Sequence, residues 1–336
     1  MKILFLTRGS VHDGLGHVTR SRTVAAEFIS RAEIKFVAIG DGCATALLEG
    51  WGFDFVADAT EEAAHKIVAD FAPDIVFLDL LRLDRAFTRE LVQSATVIGL
   101  SPIFDCMDEL PLVFHRTAHR DPRWPGGVEF RCGLQYAVVG AHCRRVTEEV
   151  FQLHAAEPQL SVAISMGGTD AANKTIQVLR RLREHTRPLL IWALLGEGYA
   201  HGYEELVSQT RGTPHEIIFA KTNNSMWRVL NTCSLVVLAA GTTTYEAACV
   251  GLPSVNLLEA ATSRFLVAEL VEKGAAICDG TAFPEALAAL PAHIAALDAD
   301  REKLRAMHRA ASALVDGRGA ARIADEALAF HSARRA

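Results

Sequence analysis

Short apolar runs alternate along the chain with longer amphipathic segments. Residues 2–7 (KILFLT), 34–40 (IKFVAIG), 74–80 (DIVFLDL) and 96–101 (TVIGLS) carry apolar side chains at consecutive positions. Strands apolar on both faces belong in a parallel sheet covered by helices. Residues 17–30, 43–51, 60–71 and 85–94 read as the helices between them. The rhythm restarts with SVAISMGG at 161. It continues at 188–196 (PLLIWALLG), 216–221 (EIIFAK), 234–241 (SLVVLAAG), 253–259 (PSVNLLE) and 275–280 (AAICDG). Two β/α series in one chain predict an α/β protein with two doubly wound domains.

A chain of 336 residues has the length of about two domains of roughly 150 residues each. Residues 103–130 are irregular and rich in Pro, Asp, Arg and His, and 149–160 (EVFQLHAAEPQL) read as a linker around Pro158. The expected division is a first domain at 1–150, a second at 158–320 and a helical tail at 321–336. An apolar fraction of 50% supports packed cores and excludes disordered, collagen-like and low-complexity classes. The net charge of −6 argues against sequence-independent nucleic-acid binding, which needs basic surface to displace counterions. Seven cysteines, an odd number with no CxxC, suggest reduced thiols rather than a disulfide framework. MKILFLTRG is too short an apolar run for a signal peptide, and no apolar stretch reaches the roughly 18 residues of a membrane span. The expectation is a soluble, cytoplasmic protein without stable membrane insertion; its oligomeric state is left open.

Three glycine turns follow predicted strands. In GLGHVTR (14–20), Gly14 and Gly16 permit a sharp turn and close approach to a ligand. His17 falls at a helix N-terminus, where free N–H groups and the helix dipole favour an anion, and Arg20 shares its face. Thr19 occupies the third glycine position of a dinucleotide fingerprint, so a plain turn with a solvated His and a surface Arg fits equally well. In SMGGTDAANKT (165–175), Gly167 and Gly168 free the turn, Thr169 or Asp170 caps the next helix, and Asn173 sits one turn in. No P-loop pattern is present there, and a well-capped turn would explain the residues. In AAGTTTYEAACVGLP (239–253), Gly241 ends a strand and Thr242, Thr243 and Thr244 open a helix. Glu246 follows in its first or second turn. Hydroxyls and amides suit a phosphate, and a carboxylate one turn on suits ribose hydroxyls; a threonine cap and an exposed Glu are the plainer reading. All three turns lie at carboxyl ends of strands, where open α/β sheets bind ligands. One in the first domain and two in the second fit an interdomain cleft for a diphosphate-linked, nucleotide-type ligand.

Other constellations carry less. His115 and His119 have helical metal-ligand spacing, but no carboxylate completes HExxH and RDPRWPGG marks a loop. Asp298 and Asp300 read as ordinary helix-start acids. Ser101, Ser165 and Ser263 lack a GxSxG elbow. Cys132 has no evident activating partner and reads as a buried thiol.

GLGHVTR, RCGLQYAV (131–138) and ISMGGTDAANKT (164–175) together resemble the UDP-2,4-diacetamido-2,4,6-trideoxy-β-L-altropyranose hydrolases of pseudaminic acid synthesis, the PseG group. AAGTTTYEAACVGLPSV and VDGRGAARIADEAL (315–328) also fit and are similar to MurG-type N-acetylglucosaminyltransferases. The resemblance implies a GT-B fold, two Rossmann-like domains facing across a cleft, with UDP held mainly by the second. It implies that His17 is the base activating water for inverting attack at the anomeric carbon, releasing UDP. Gly168, Thr169 and Glu246 would map to the nucleotide side, and Gly16, Arg20 and the first-domain strand ends would face the sugar. Gly14, Asp79, Gly167, Asp170, Asn173, Gly241, Thr242, Thr243 and Ser263 are the further substrate-binding candidates. Two places depart from the family pattern. Asp79-Leu80-Leu81 stands where relatives carry Asp-His-Tyr, and Ala261-Thr262-Ser263-Arg264 where they carry an Asn-Gln pair.

The implied chemistry needs no metal and no cofactor, because helix-terminal amides can stabilise the charge developing on a diphosphate leaving group. A histidine is suited to accept a proton near neutral pH. A GT-B glycosyltransferase differs only in using a hydroxyl acceptor instead of water; LPLVFHRTAHR (110–120) is the candidate apolar and basic patch for a lipid acceptor. A non-catalytic nucleotide-sugar-binding protein is the third reading, given Leu80 and Leu81.

Overall fold

The computed structural model describes all residues except 11–13, 50–53, 120–123, 223–225 and 336. The chain forms two compact units, Met1–Val139 with Arg318–Ala336, and Gly140–Gly317.

Unit 1 holds seven strands: β1 (Lys2–Gly9), β2 (Glu33–Gly40), β3 (Asp54–Ala59), β4 (Ile75–Asp79), β5 (Thr96–Gly99), β6 (Leu112–His115) and β7 (Glu129–Cys132). They lie in the order β3-β2-β1-β4-β5-β6-β7, with parallel pairing throughout. Helices α1 (Gly16–Ala26), α2 (Thr45–Leu48), α3 (Glu61–Phe71) and α4 (Arg85–Ser94) connect the strands. Phe5 on β1 pairs in register with Phe36 on β2 and Phe77 on β4. The three buried rings stack at 5.0 and 4.8 Å between centroids. Each buried ring contributes about 1.5–3 kcal/mol of transfer free energy, so this row anchors the centre of the sheet.

Unit 2 repeats the plan with six parallel strands: β8 (Leu160–Ser165), β9 (Leu189–Leu195), β10 (Glu216–Lys221), β11 (Leu235–Leu238), β12 (Ser254–Asn256) and β13 (Ala276–Ile277). Their order is β10-β9-β8-β11-β12-β13. Its helices are α5 (Glu148–Ala156), α6 (Lys174–Leu182), α7 (Tyr203–Ser208), α8 (Met226–Leu230), α9 (Thr243–Val250), α10 (Ala268–Glu272), α11 (Phe283–Ala299) and α12 (Arg301–Leu314). The last helix, α13 (Gly319–Arg335), belongs to unit 1 and buries Ala320, Ile323, Ala324 and Ala327 in the core around Phe5. No described helix is long and apolar enough to cross a membrane.

All six strands of the second series lie where the apolar runs predict them. Three strands of the first do not stand out in the sequence. β3 reads DFVADA, with two acids in six residues, and β7 reads EFRC. Both are edge strands, which need no continuous apolar run. β6 (LVFH) is fully buried but only four residues long and flanked by Pro111 and Arg116, so it disappears into the irregular 103–130 stretch. Its burial also removes 110–120 as an exposed apolar patch; Arg120 lies outside the described residues. The 149–160 linker is a second departure. Most of it is α5, whose Phe151 and Ala155 join the unit 2 core, and the division between units falls at 139/140 and 317/318. The helix expected at 43–51 is the short α2, with residues 50 and 51 outside the described set.

In each sheet the chain runs outward from the first strand and then returns to its other side. The boundaries β1/β4 and β8/β11 are therefore topological switch points, where α/β sheets open a crevice at the carboxyl ends of strands.

Candidate active site

At the β1/β4 switch point of unit 1, Gly14 adopts φ +79 and its N–H donates to the Ser10 carbonyl (2.9 Å). Such a φ favours glycine, and the turn delivers the chain into α1 at Gly16. His17 lies in the first turn of α1 with Arg20 one turn on, and α1 has no side-chain N-cap. Asp79, the last residue of β4, sits beneath both and is 0% exposed. His17 Nδ1 lies 2.7 Å from Asp79 Oδ1. Arg20 donates through Nε to Asp79 Oδ2 (2.9 Å) and through Nη2 to Oδ1. Ser21 Oγ donates to Oδ2 (3.2 Å), Ser101 Oγ donates to Oδ1 (3.1 Å), and Thr7 Oγ1 donates to the Asp79 carbonyl (3.1 Å).

This arrangement sets the protonation states. Burial alone would raise the Asp79 carboxyl. The charge of Arg20, the contact with His17 and the hydrogen bonds of both outweigh burial and hold it far below the usual carboxylate range. An ionised Asp79 at 2.7 Å requires the His17 proton on Nδ1, since two lone pairs would otherwise face each other. Arg20 Nη2, 3.1 Å from the same Nδ1, therefore spends its hydrogen on Asp79 and not on the imidazole. Nε2 keeps its lone pair, and the side chain remains 16% exposed. An imidazole oriented by a buried carboxylate with a free Nε2 can accept a proton from water or a hydroxyl.

The structure brings His17, Arg20 and Asp79 together. Asp79 is buried and surrounded by donors, and Arg20 spends Nε and Nη2 on it, so the pair holds His17 in place. Ser21, Ser101 and Thr7 are the members that sequence reading passes over. Ser101 stood only as a failed nucleophile candidate, and as a buried donor to Asp79 it has a different place.

At the β8/β11 switch point of unit 2, two turns lie on adjacent strands. Gly167 (φ +102) and Gly168 are exposed after β8. Asp170 is the cap of α6, accepting from Lys174 N (2.7 Å) and Thr175 N (2.9 Å). The α6 N-terminus is thereby filled by the protein's own carboxylate. Asn173 stands immediately before α6 rather than one turn in, and its Oδ1 accepts from Tyr199 Oη (2.9 Å). The N–H groups of Gly167, Gly168 and Thr169 precede that cap and have no partner among the described residues.

The second turn leaves its helix open. α9 has no side-chain cap at Thr242, and the N–H groups of Gly241, Thr242 and Thr243 have no partner among the described residues. Thr244 points inward, donating to Asn256 Oδ1 (2.7 Å) on β12. Glu246 is buried rather than exposed. Burial pushes its carboxyl up to about 7, opposed by donation from the Gly140 N–H. Ser263 is half-buried in a short 3-10 turn over Ala261–Leu266, and its hydroxyl has no partner among the described residues.

Sequence reading also misses Gly196 after β9. A Cβ there would stand 2.2 Å from the Gly168 carbonyl oxygen, and the Gly198 N–H donates to that oxygen (3.1 Å). The 167–168 turn rests on this loop. Gly196→Ala should cost about 1–3 kcal/mol of unit 2 stability through overpacking against backbone, measured as a lowered denaturation midpoint. An unchanged midpoint would mean the loop moves aside freely.

The set-aside residues have structural places. His115 ends β6, and burial, then the Arg116 charge, lowers its imidazole to about 3. Asp300 caps α12 through Lys303 N (3.1 Å), and Asp298 pairs with Arg301 (2.7 Å) and Arg187 (3.1 Å). The motifs at 131–138 and 315–328 meet through Arg131 and Tyr136, which both donate to Glu326 (2.7 and 3.0 Å). Cys132 is half-buried at the end of edge strand β7.

Two Rossmann-like units with these strand orders, each with a glycine turn at its switch point, define the GT-B fold. The chain matches the crystal structure of Acinetobacter baumannii MurG with a TM-score of 0.72 and 15% identity, covering 98% of this chain and 100% of that one. It matches Anabaena HepE in complex with UDP-glucose at 0.68 and 14%, covering 99% and 100%. It matches the UDP-GlcNAc 2-epimerase of Neisseria meningitidis bound to UDP-GlcNAc at 0.63 and 11%, covering 98% and 100%. At these identities the likeness is one of fold. Among curated sequences, an uncharacterized protein of Methanocaldococcus jannaschii is 23% identical over 273 residues, 77% of this chain. The chain spans little more than half of that relative's length, 56%. No protein-family model matches.

Proposed function

We propose that the protein is a UDP-sugar hydrolase of the PseG type, acting on a UDP-linked amino-deoxy sugar in pseudaminic acid or related surface-glycan synthesis. The observation that carries this reading is the buried Asp79 carboxylate fixing His17 Nδ1 and leaving Nε2 free. His17 takes a proton from water as its oxygen attacks the anomeric carbon. The carbon–oxygen bond to the diphosphate breaks, and UDP leaves with inversion at that carbon. Free N–H groups at 167–169 and 241–243 receive the diphosphate and stabilise its developing charge. Glu246 receives the ribose hydroxyls. Complexes of HepE with UDP-glucose and of the epimerase with UDP-GlcNAc support a nucleotide-sugar as ligand, since both share this fold.

A panel of UDP- and other NDP-sugars without acceptor, read by mass spectrometry, tests the reaction. Released UDP and free sugar are expected. Release only when a sugar or lipid hydroxyl is added would make the protein a transferase, and binding without turnover would make it a nucleotide-sugar receptor. Glu246 has its own test. A charge-assisted hydrogen bond is worth about 1.5–3 kcal/mol, so Glu246→Gln should weaken UDP by roughly tenfold or more. The same variant should leave 2′,3′-dideoxy-UDP unaffected. Equal losses for both nucleotides in calorimetry would remove Glu246 from the ribose.

A further inference from the structure

Beyond the substrate groups, unit 2 gathers three chemically different donors that the proposed reaction does not use together. The Cys143 N–H donates to the Gly140 carbonyl (3.0 Å), closing a turn that carries His142 and Cys143 side by side. Glu246 on α9 lies against this turn, with its carboxylate held by the Gly140 N–H. One donor atom each from His142, Cys143 and Glu246 lies within 4.8 Å of the others, and no other such group of three occurs among the described residues. His142 Nε2 is 4.0 Å from Glu246 Oε1.

We propose that His142, Cys143 and Glu246 form a binding site for a borderline divalent cation, Zn2+ in physiological terms, with water as the fourth ligand. Nitrogen, sulfur and oxygen together match zinc and exclude magnesium and calcium, which take oxygen ligands. Zinc bonds of about 2.0–2.3 Å place tetrahedral donors about 3.3–3.8 Å apart. The side chains must draw together by about 1 Å, which rotation about their own bonds supplies. Cys143 releases its thiol proton to solvent as the Zn–S bond forms. The His142 side chain is 34% exposed and gives the ion its path from solvent, while Glu246 is nearly buried at 8%. The Gly140 N–H donates to the carboxylate and so fixes its orientation toward the ion. Three protein ligands and an open position make this an adaptable site rather than a closed structural one.

The site shares Glu246 with the proposed ribose contact but uses no atom of His17, and its test uses no substrate. Titration of the reduced full-length protein with Co2+ should give a saturable near-ultraviolet sulfur-to-cobalt charge-transfer band at one equivalent. Zn2+ should bleach the band by displacing Co2+. Cys143→Ser should abolish it. His142→Ala, a change at a half-exposed side chain, should weaken Co2+ by roughly tenfold or more, since even second-shell changes cost about 10–100-fold. Absence of the band, or its persistence in Cys143→Ser, overturns the site, as does unchanged affinity in folded His142→Ala. None of these failures touches the assignment of UDP to unit 2, which is read by nucleotide calorimetry on metal-free protein.

Discussion

Replacing His17 by Asn should lower turnover of the cognate UDP-sugar by roughly two to four orders of magnitude, the usual share of general-base catalysis. The substitution keeps size and polarity, and the amide nitrogen can still donate to Asp79, so the fold should survive. What disappears is the basic lone pair at Nε2. The loss should fall on kcat, with UDP affinity unchanged, because the nucleotide is assigned to the other unit. A kinetic comparison at saturating substrate decides this. Turnover within a few-fold of wild type would remove His17 from the chemistry. A loss confined to KM would make it a binding residue instead.

Asp79→Ala should be the most damaging single substitution in unit 1. It leaves the buried Arg20 guanidinium without its bidentate partner and orphans the hydroxyls of Ser21 and Ser101. Breaking one side of a buried pair costs about 3–5 kcal/mol. The pH dependence has a definite sign. The folded-state carboxyl is depressed, so its contribution is complete above the ordinary carboxylate range and declines as pH falls through that range toward the folded value. Wild type should therefore lose its advantage over Asp79→Ala on acidification, and the two denaturation midpoints should converge. A constant difference across the acid range would contradict an ionised Asp79. Asp79→Asn keeps the volume and can still accept from Nδ1–H, but its amide nitrogen faces the Arg20 and Ser21 donors and the Arg20 charge is left unpaired, so stability should fall as well. It no longer stabilises an imidazolium, so turnover per folded molecule should fall roughly a hundredfold.

The fold was legible where burial on both faces writes itself into the chain. β8, β9 and β11 and the central strands β1, β2, β4 and β5 are largely apolar runs because they are buried within their sheets, whereas β10 and β13 are edge strands found from shorter apolar stretches. β6 was hidden by its four-residue length, and β3 and β7 by their place at or near the sheet edge. Pro158 does lie in a loop, but one of only three residues between α5 and β8, and the rest of the expected linker is mostly α5 itself. In the site, the glycine turn that places His17 at the start of α1 was legible, although the same residues fitted a plain turn equally well. Arg20 and Asp79 were found as residues, but not their burial. Their partners Ser21, Ser101 and Thr7 arrive from one helix and two strands, a juxtaposition no local pattern encodes. The competition at α6 was half legible: either Thr169 or Asp170 could cap it, and only the positive φ of Asp170 brings its carboxylate under the amides of Lys174 and Thr175. His142 and Cys143 gave no signal, because their relation to Glu246 exists only in the folded unit.

The stereochemistry of release is the most direct test of His17 as a base for water. Proton NMR should follow an acceptor-free UDP-sugar from the first moments of reaction, before the free sugar mutarotates. The inverted anomer should appear first, together with UDP, and His17→Asn should slow its appearance by roughly two to four orders of magnitude. First appearance of the retained anomer, or equal rates in wild type and His17→Asn, would contradict single attack by a water activated at Nε2.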